Sequence, residues 1–439
     1  MRVFVLAVAV LGASASPCAA ATVEVVERHD TYSSSATAEF RGEGDEVNDV
    51  RYSTAEGGRW AVFHDAAAVI RAGHGCSSVD EHTARCTTEI PPARGPGPYL
   101  PVDLRLGGGD DRAVSDSELP AFGVHGEEGD DELVAGAAGV ALLEGGPGDD
   151  LLVGGVGSDH LHGGAGADVL RGGPAEDSLV GDEPGGPFSP DVMDGGESAE
   201  DWVSYGERQT PVHVDLSSPG GDGGAREDDA ISGVEQVAGG LADDVLVGDD
   251  VRNRLEGGGG SDVIAGRGGD DLLLGSDGRD VIDGEDGDDS IQGAGGADMA
   301  IGGPGDDFVG LGGVSSDPFD RAECGPGDDR AMNVDVRDVV RGCEAVEVLG
   351  LLVGVPRRVS RGFAVPVAAG ANPVPCRVVV TVTSRRRAVR SRAVRVRSSV
   401  RVVARRRTRV YRRPAARRLR VELRGVGCGG VGGFVVALD

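Results

Sequence analysis

The chain has 439 residues, room for two or three domains. Its 75 glycines and 22 prolines against 4% aromatic residues exclude a large conventional core. A net charge of −30 argues against nucleic acid as the main partner, and beyond the N-terminus no apolar run reaches the roughly 20 residues of a membrane helix. All basic residues are arginine, and they are unevenly placed. Residues 355–439 carry 22 of them against Glu422 and Asp439, a balance of +20 that leaves −50 on residues 1–354.

Met1–Ala21 reads as a signal peptide: Arg2, the apolar run Val3–Leu11, then the small-residue zone Pro17–Ala21. The run is too short for a membrane anchor, and Ala15-Ser16-Pro17 leads poorly into a lipidated Cys18. The expected location is therefore extracellular, secreted or associated with the cell surface. The six remaining cysteines suit disulfides, and none sits in a CxxC motif that would suggest zinc or redox chemistry. Sequence leaves the connectivity open, while nearest neighbours within segments give Cys76–Cys86, Cys324–Cys343 and Cys376–Cys428. Residues 22–105 alternate apolar and polar (Val23, Val25; Trp60, Val62) and predict an N-terminal β region with a Cys76–Cys86 loop.

A nine-residue period then takes over. Gly145–Val153 (GGPGDDLLV), Gly154–His162 (GGVGSDHLH), Gly163–Arg171 (GGAGADVLR) and Gly172–Val180 (GGPAEDSLV) follow one another without a gap. A second run extends from Gly239–Val247 (GGLADDVLV) to Gly302–Gly310 (GGPGDDFVG), and looser units occupy Leu106–Val114, Gly126–Val134, Gly136–Glu144 and Cys324–Met332. Position 6 is Asp150, Asp159, Asp168, Asp177, Asp244, Asp262, Asp271, Asp280, Asp289, Asp298 and Asp307, joined by Asp131 and Asp329 of the looser units. Position 8 is aliphatic: Leu152, Leu161, Leu170, Leu179, Leu246, Leu255, Ile264, Leu273, Ile282, Ile291 and Val309. In a short strand, positions 7 and 9 face out while 8 faces in, so the core is one aliphatic residue per strand. Composition alone would fit a disordered Gly/Asp-rich linker; the strict register does not follow from low complexity.

This GGxGxDxUx pattern resembles the calcium-binding nonapeptide repeats of RTX (hemolysin-type) proteins, which form parallel β-rolls. The resemblance implies calcium as the bound ion, held by the position-6 aspartates and by carbonyls of the turn glycines Gly146, Gly148, Gly155, Gly157, Gly164, Gly166, Gly258, Gly260, Gly303 and Gly305. A hard cation taking 6–8 oxygens suits that donor set. In the family, two nonapeptides make one coil, pairing Asp150 with Asp168, Asp159 with Asp177, Asp262 with Asp280 and Asp298, and Asp271 with Asp289 and Asp307. Ala141 and Asn253 at position 6 predict weak or absent sites; Ala175, Ala242 and Ala300 are further departures. Without the ion, clustered carboxylates and a one-residue core predict disorder, so binding would supply folding energy. The family exports through a C-terminal signal, whereas this chain has an N-terminal one, so toxin biology is not carried over.

The fold class expected is therefore all-β, a parallel β-roll with a C-terminal antiparallel β domain. Its parts are 106–180 and 239–310 as calcium-binding blocks, 181–238 as longer connecting coils, 311–350 as a cap closed by Cys324–Cys343, and 351–439 as an Arg-rich β domain. The dense arginines there (Arg385, Arg386, Arg387, Arg405, Arg406, Arg407) read as a solvated face docking on the acidic roll or as an anchor for anionic cell-wall or surface polymers. No HExxH, GxSxG or P-loop is present. His160 and His162 face outward as solvated side chains or a surface metal site, and the recurrence of pairs such as Asp149-Asp150 fits ligands better than acid–base catalysis. The leading expectation is a non-catalytic, calcium-ordered structural or adhesive protein; the alternative is a secreted hydrolase with an unrecognised site in residues 22–120.

Overall fold

The computed structural model describes residues 20–348 except 30–33, 46, 56–59, 88–101, 116–121, 137–139, 183–185, 187, 219, 226, 313–319 and 335–337, and beyond 350 a set of strands from Leu351–Gly354 to Gly433–Leu438. All the described secondary structure is β, and its central part forms a parallel solenoid of about 11 turns. No helix is long and apolar enough to cross a membrane among the described residues.

The period of nine produces the coil directly. Each repeat's glycine-rich half is a turn and its D-x-U-x half a three-residue strand, as in Leu151–Val153, with Leu152 buried between two partly exposed neighbours. Alternate repeats fall on opposite faces, so a residue stacks on the one eighteen further along. One face aligns Leu143, Leu161, Leu179, Val203, Val237, Leu255, Leu273, Ile291, Val309 and Ala331 without interruption. The other face is made of two sheets. Leu133, Leu152, Leu170, Met193 and Ile231 line the first. Val214, Leu246, Ile264, Ile282, Ala300, Ala322 and Val340 line the second. These rows belong to one continuous hydrophobic core, and stacking neighbours is what lets so narrow a core close.

The handover between the two sheets lies in residues 205–235. Val212–Asp215 opens the second sheet and pairs antiparallel with Gly223–Gly224, before Ala230–Ser232 returns to close the first. The N-terminal region caps the start of the roll. Ser34–Arg41 pairs parallel with Val102–Gly108, and Asp49–Ala55 with Arg112–Ser115, while Trp60–Asp65, Cys76–Ser78 and Thr83–Thr87 add an antiparallel meander. Phe40, Tyr52 and Phe63 pack there as an aromatic plug. Cys76–Cys86 and Cys324–Cys343 are disulfides, while Cys376 and Cys428 lie outside the described residues.

Of the leader segment, only Ala20 and Ala21 are described, where they pair with Val69 and Ile70. Past the roll, strands pair antiparallel (Leu351–Gly354, Gly362–Ala369 and Val400–Arg405; Arg377–Ser384, Leu419–Val426 and Gly433–Leu438), and they prolong both sheets.

Candidate metal centre

Stacking the turns lines up the position-6 aspartates as ladders along the roll's edges. The Oδ1 of each accepts the backbone N–H of the position-6 residue one coil earlier: Asp168 from Asp150 at 2.8 Å, Asp177 from Asp159 at 2.7 Å, Asp280 from Asp262 at 2.9 Å, Asp289 from Asp271 at 2.9 Å, Asp298 from Asp280 at 3.1 Å and Asp307 from Asp289 at 3.0 Å. Asp131, Asp150 and Asp329 take the same place on Asp111, Asp131 and Asp307, and Asp262 on Asp244. Every one of these carboxylates is buried.

The second oxygen is what makes the ladders chemically unusual. The Oδ2 atoms of Asp131, Asp150, Asp168, Asp177, Asp262, Asp271, Asp280, Asp289, Asp307 and Asp329 are buried without a hydrogen-bond partner, an arrangement costly for any polar group and more so for a charged one. All but Asp329, whose repeat begins with Cys324, face the position-1 glycine of their own repeat. A Cβ on Gly145 would lie 2.2 Å from Asp150 Oδ2 and 2.6 Å from the carbonyl oxygen of Gly163; on Gly284, 2.2 Å from Asp289 Oδ2 and 2.4 Å from that of Gly302. Glycine at position 1 thus leaves room in which a carboxylate and a carbonyl oxygen converge. Among the described residues no three His, Cys, Asp or Glu side chains form a metal cluster, so such a site draws on backbone oxygen as well, which suits calcium rather than zinc.

Positions 2 and 4 serve the stacking. Gly164 has φ +119°, and a Cβ there would lie 2.2 Å from the carbonyl oxygen of Gly146; on Gly166 it would lie 1.8 Å from that of Gly148. Gly258, Gly260, Gly303 and Gly305 repeat this left-handed geometry, and Gly155 and Gly157 do not. The turn of Gly154–His162 is instead closed: the Gly155 N–H donates to Asp159 Oδ2, as the Gly240 N–H donates to Asp244 Oδ2 and the Asp249 N–H to Asn253 Oδ1. The first two begin ladders whose preceding rung lacks a carboxylate, since Asp159 follows Ala141 and Asp244 follows Val212.

Burial, the largest cause, raises Asp131, Asp168, Asp177, Asp262, Asp271 and Asp307 to about 7 and Asp150 and Asp289 to about 6, with neighbouring carboxylates adding and the ladder N–H groups opposing. The ladders therefore resist ionising at neutral pH unless a cation joins them.

Sequence reading missed several rungs. Asp111, Asp191, Asp201, Asp229, Asp320 and Asp338 are buried on the same ladders. Asp191, Asp201, Asp229 and Asp338 keep the D-x-U-x half (Asp191-Val-Met-Asp, Asp201-Trp-Val-Ser), a signal that would have found them, whereas Asp111 and Asp320 carry Ala113 and Ala322 at position 8. Neutral Asn48 and acidic Glu344 are the terminal rungs. Away from the edges, His162 shares a lateral row with His125 and Glu144. His125 lies between Glu144, 2.5 Å from Nδ1, and Asp103, 3.2 Å from Nε2, and these carboxylates raise its affinity for a proton.

A family model described as the RTX calcium-binding nonapeptide repeat (four copies) matches residues 144–179, 238–273 and 274–309. No curated protein matches the chain. The matched residues hold the regular nonapeptides of the ladders, which continue beyond them at both ends, and most of the handover segment lies between them.

Proposed function

We propose that this RTX-type, calcium-binding β-roll protein holds its ions between stacked turns, each ion taking position-6 carboxylates and turn carbonyls, and that calcium thereby orders the chain into a rigid rod outside the cell. The observation that carries the reading is the row of buried Oδ2 atoms without partners, several of which, as at Asp150, Asp177, Asp271 and Asp289, face a backbone carbonyl oxygen of the next coil across a position-1 glycine. Calcium would supply the positive charge these oxygens lack; the chain's own part is to fix their spacing through the N–H-to-Oδ1 ladder and to exclude water through the aliphatic rows.

Counting calcium in the loaded full-length protein tests it. Asp280→Ala is expected to lose ions only from the Asp262–Asp280–Asp298 ladder and leave the Asp271–Asp289–Asp307 ladder filled; an unchanged count overturns the ligand assignment. Export rests on the leader-like Met1–Ala21, and finding the mature N-terminus near Ala21 in the medium checks it. The role is structural or adhesive, with the Arg-rich segment 351–439 as the anchor for anionic surface polymers. Retention of the chain on teichoic acid, abolished by neutralising Arg385, Arg386, Arg387, Arg405, Arg406 and Arg407, checks the anchor; equal retention removes it.

A further inference from the structure

One stretch of the roll already contains its cation. Among the described residues Arg208 is the only positively charged side chain in the buried set, 4% exposed. It stands in the handover coil, where its carbonyl accepts the Leu241 N–H at 2.7 Å and a Cβ on Gly240 would lie 2.6 Å from that same oxygen. Arg208 is thus one coil before Gly240, on the position that glycine fills in the repeats. Four residues on, Val212 occupies the position-6 rung beneath Asp244 and brings no carboxylate. The coil has exchanged its turn glycine for a cation and its aspartate for an apolar residue.

The Arg208 side chain turns toward two buried acids that stand off the ladders. Its guanidinium pairs with Glu227 and, at 3.3 Å, with Asp182, both fully or almost fully buried, and lies over the rings of Phe188 and Tyr205 at 4.1 and 4.9 Å. Tyr205 donates its hydroxyl to Asp229 Oδ2 at 2.9 Å, filling the oxygen that is open on the repeat aspartates. A planar guanidinium with fixed donors suits such a buried multi-acid partner set.

We propose that Arg208 is a resident counter-ion that makes the joint between the two repeat blocks independent of calcium, leaving a folded nucleus from which both blocks order when the ion arrives. The nucleus reading rests on the calcium reading above; the resident-charge reading does not. Arg208 acts as a positioning residue, supplying in covalent form the charge that the ladders take from solution.

Hydrogen exchange of the full-length chain, in chelator and in saturating calcium, tests this. In chelator the amides of Tyr205, Asp222, Asp229 and Leu241, all hydrogen-bonded within the joint, are expected to exchange at least tenfold more slowly than those of Asp262, Asp280 and Asp289. Arg208→Gln is expected to abolish that difference in chelator, make joint protection depend on calcium and raise the bound calcium count by one; a merely structural arginine would not raise the count. Adding Asp182→Asn and Glu227→Gln to Arg208→Gln removes the demand for charge and is expected to restore calcium-independent protection, which guards against simple misfolding. Equal exchange of joint and repeats in chelated wild type, or a joint in Arg208→Gln protected as before, overturns the proposal. If instead the repeats stay protected in chelator, calcium-coupled ordering fails, while the response of the joint to Arg208→Gln still decides the role of the arginine.

Discussion

Residues 239–310 and the handover coil between 181 and 238 share one continuous sheet face and one core, yet treat their buried acids differently. In the repeats, carboxylate oxygens are left open along both edges with no basic side chain among them. In the handover coil, Tyr205 fills Oδ2 of the rung Asp229 and Arg208 pairs with the buried Asp182 and Glu227, donors supplied by the chain itself, while Asp191, Asp201 and Asp222 keep an open Oδ2. A buried carboxylate needs a partner, and whether it comes from the sequence or from solution decides whether that part of the fold is constitutive or conditional.

The largest expected effect follows from removing calcium at pH 7.5. Far-UV circular dichroism should lose most of the repeat β signal and regain it with calcium but not magnesium; a spectrum indifferent to chelator would erase the distinction between the two regions. Core truncation comes next. Leu273 is fully buried in the continuous row, and Leu273→Ala should cost about 2–5 kcal/mol in the calcium-loaded state, read by thermal or denaturant unfolding. A loss under 1 kcal/mol would mean that the rows are loosely packed.

Acid should partly replace calcium. Asp131, Asp168, Asp177, Asp262, Asp271 and Asp307 are raised to about 7 in the fold, well above an ordinary aspartate. A raised folded-state pKa favours the fold below that pKa and loses its contribution as pH climbs through it. In chelator, then, order in the repeats should increase as pH falls from about 8 to 5 and the carboxyls become neutral. The joint has raised carboxyls of its own, Asp191 at about 8 and Asp182 and Asp229 at about 6 through burial, so it should respond in the same direction. Protection of the repeats that stays flat over this pH range in exchange experiments would contradict the expectation.

The smallest effects concern the turns. Gly164→Ala places a Cβ against the Gly146 carbonyl at positive φ and should destabilise the loaded roll by about 1–3 kcal/mol. In contrast, Ala294 and Ser276 hold the same left-handed position-2 conformation without being glycine, at φ 69° and 74°. Ala294→Gly should therefore stabilise by about 1 kcal/mol, seen as a melting point a few degrees higher. If both substitutions destabilise equally, stacking distance rather than backbone conformation sets the cost.

Much of this architecture is legible in one dimension because each repeat is a complete local instruction. Glycine at positions 1, 2 and 4 allows a turn that other residues strain to adopt, Asp at position 6 starts the ladder, and one aliphatic residue such as Leu152 or Ile264 sets the strand's inward face. The period of nine with two repeats per coil then fixes that Asp262 meets Asp280 and not Asp271. Cys324–Cys343 followed from proximity within one coil.

What the sequence could not show is where the pattern is kept by other residues. Asp191, Asp201, Asp229 and Asp320 are separated by irregular insertions, so their place on the ladders depends on strand pairing across gaps of 22 to 38 residues. The position-1 carbonyls enter the candidate site because neighbouring coils stack, a contact that no single repeat contains. Arg208 reads in sequence as one arginine among many in an acidic chain. Only the meeting of Asp182, Glu227 and Asp229 around it, brought about by the change of sheets, makes it the counter-charge of the joint. Local backbone preference and periodicity determined the coil; the pairing of distant charges in a low-dielectric interior was decided by the tertiary fold.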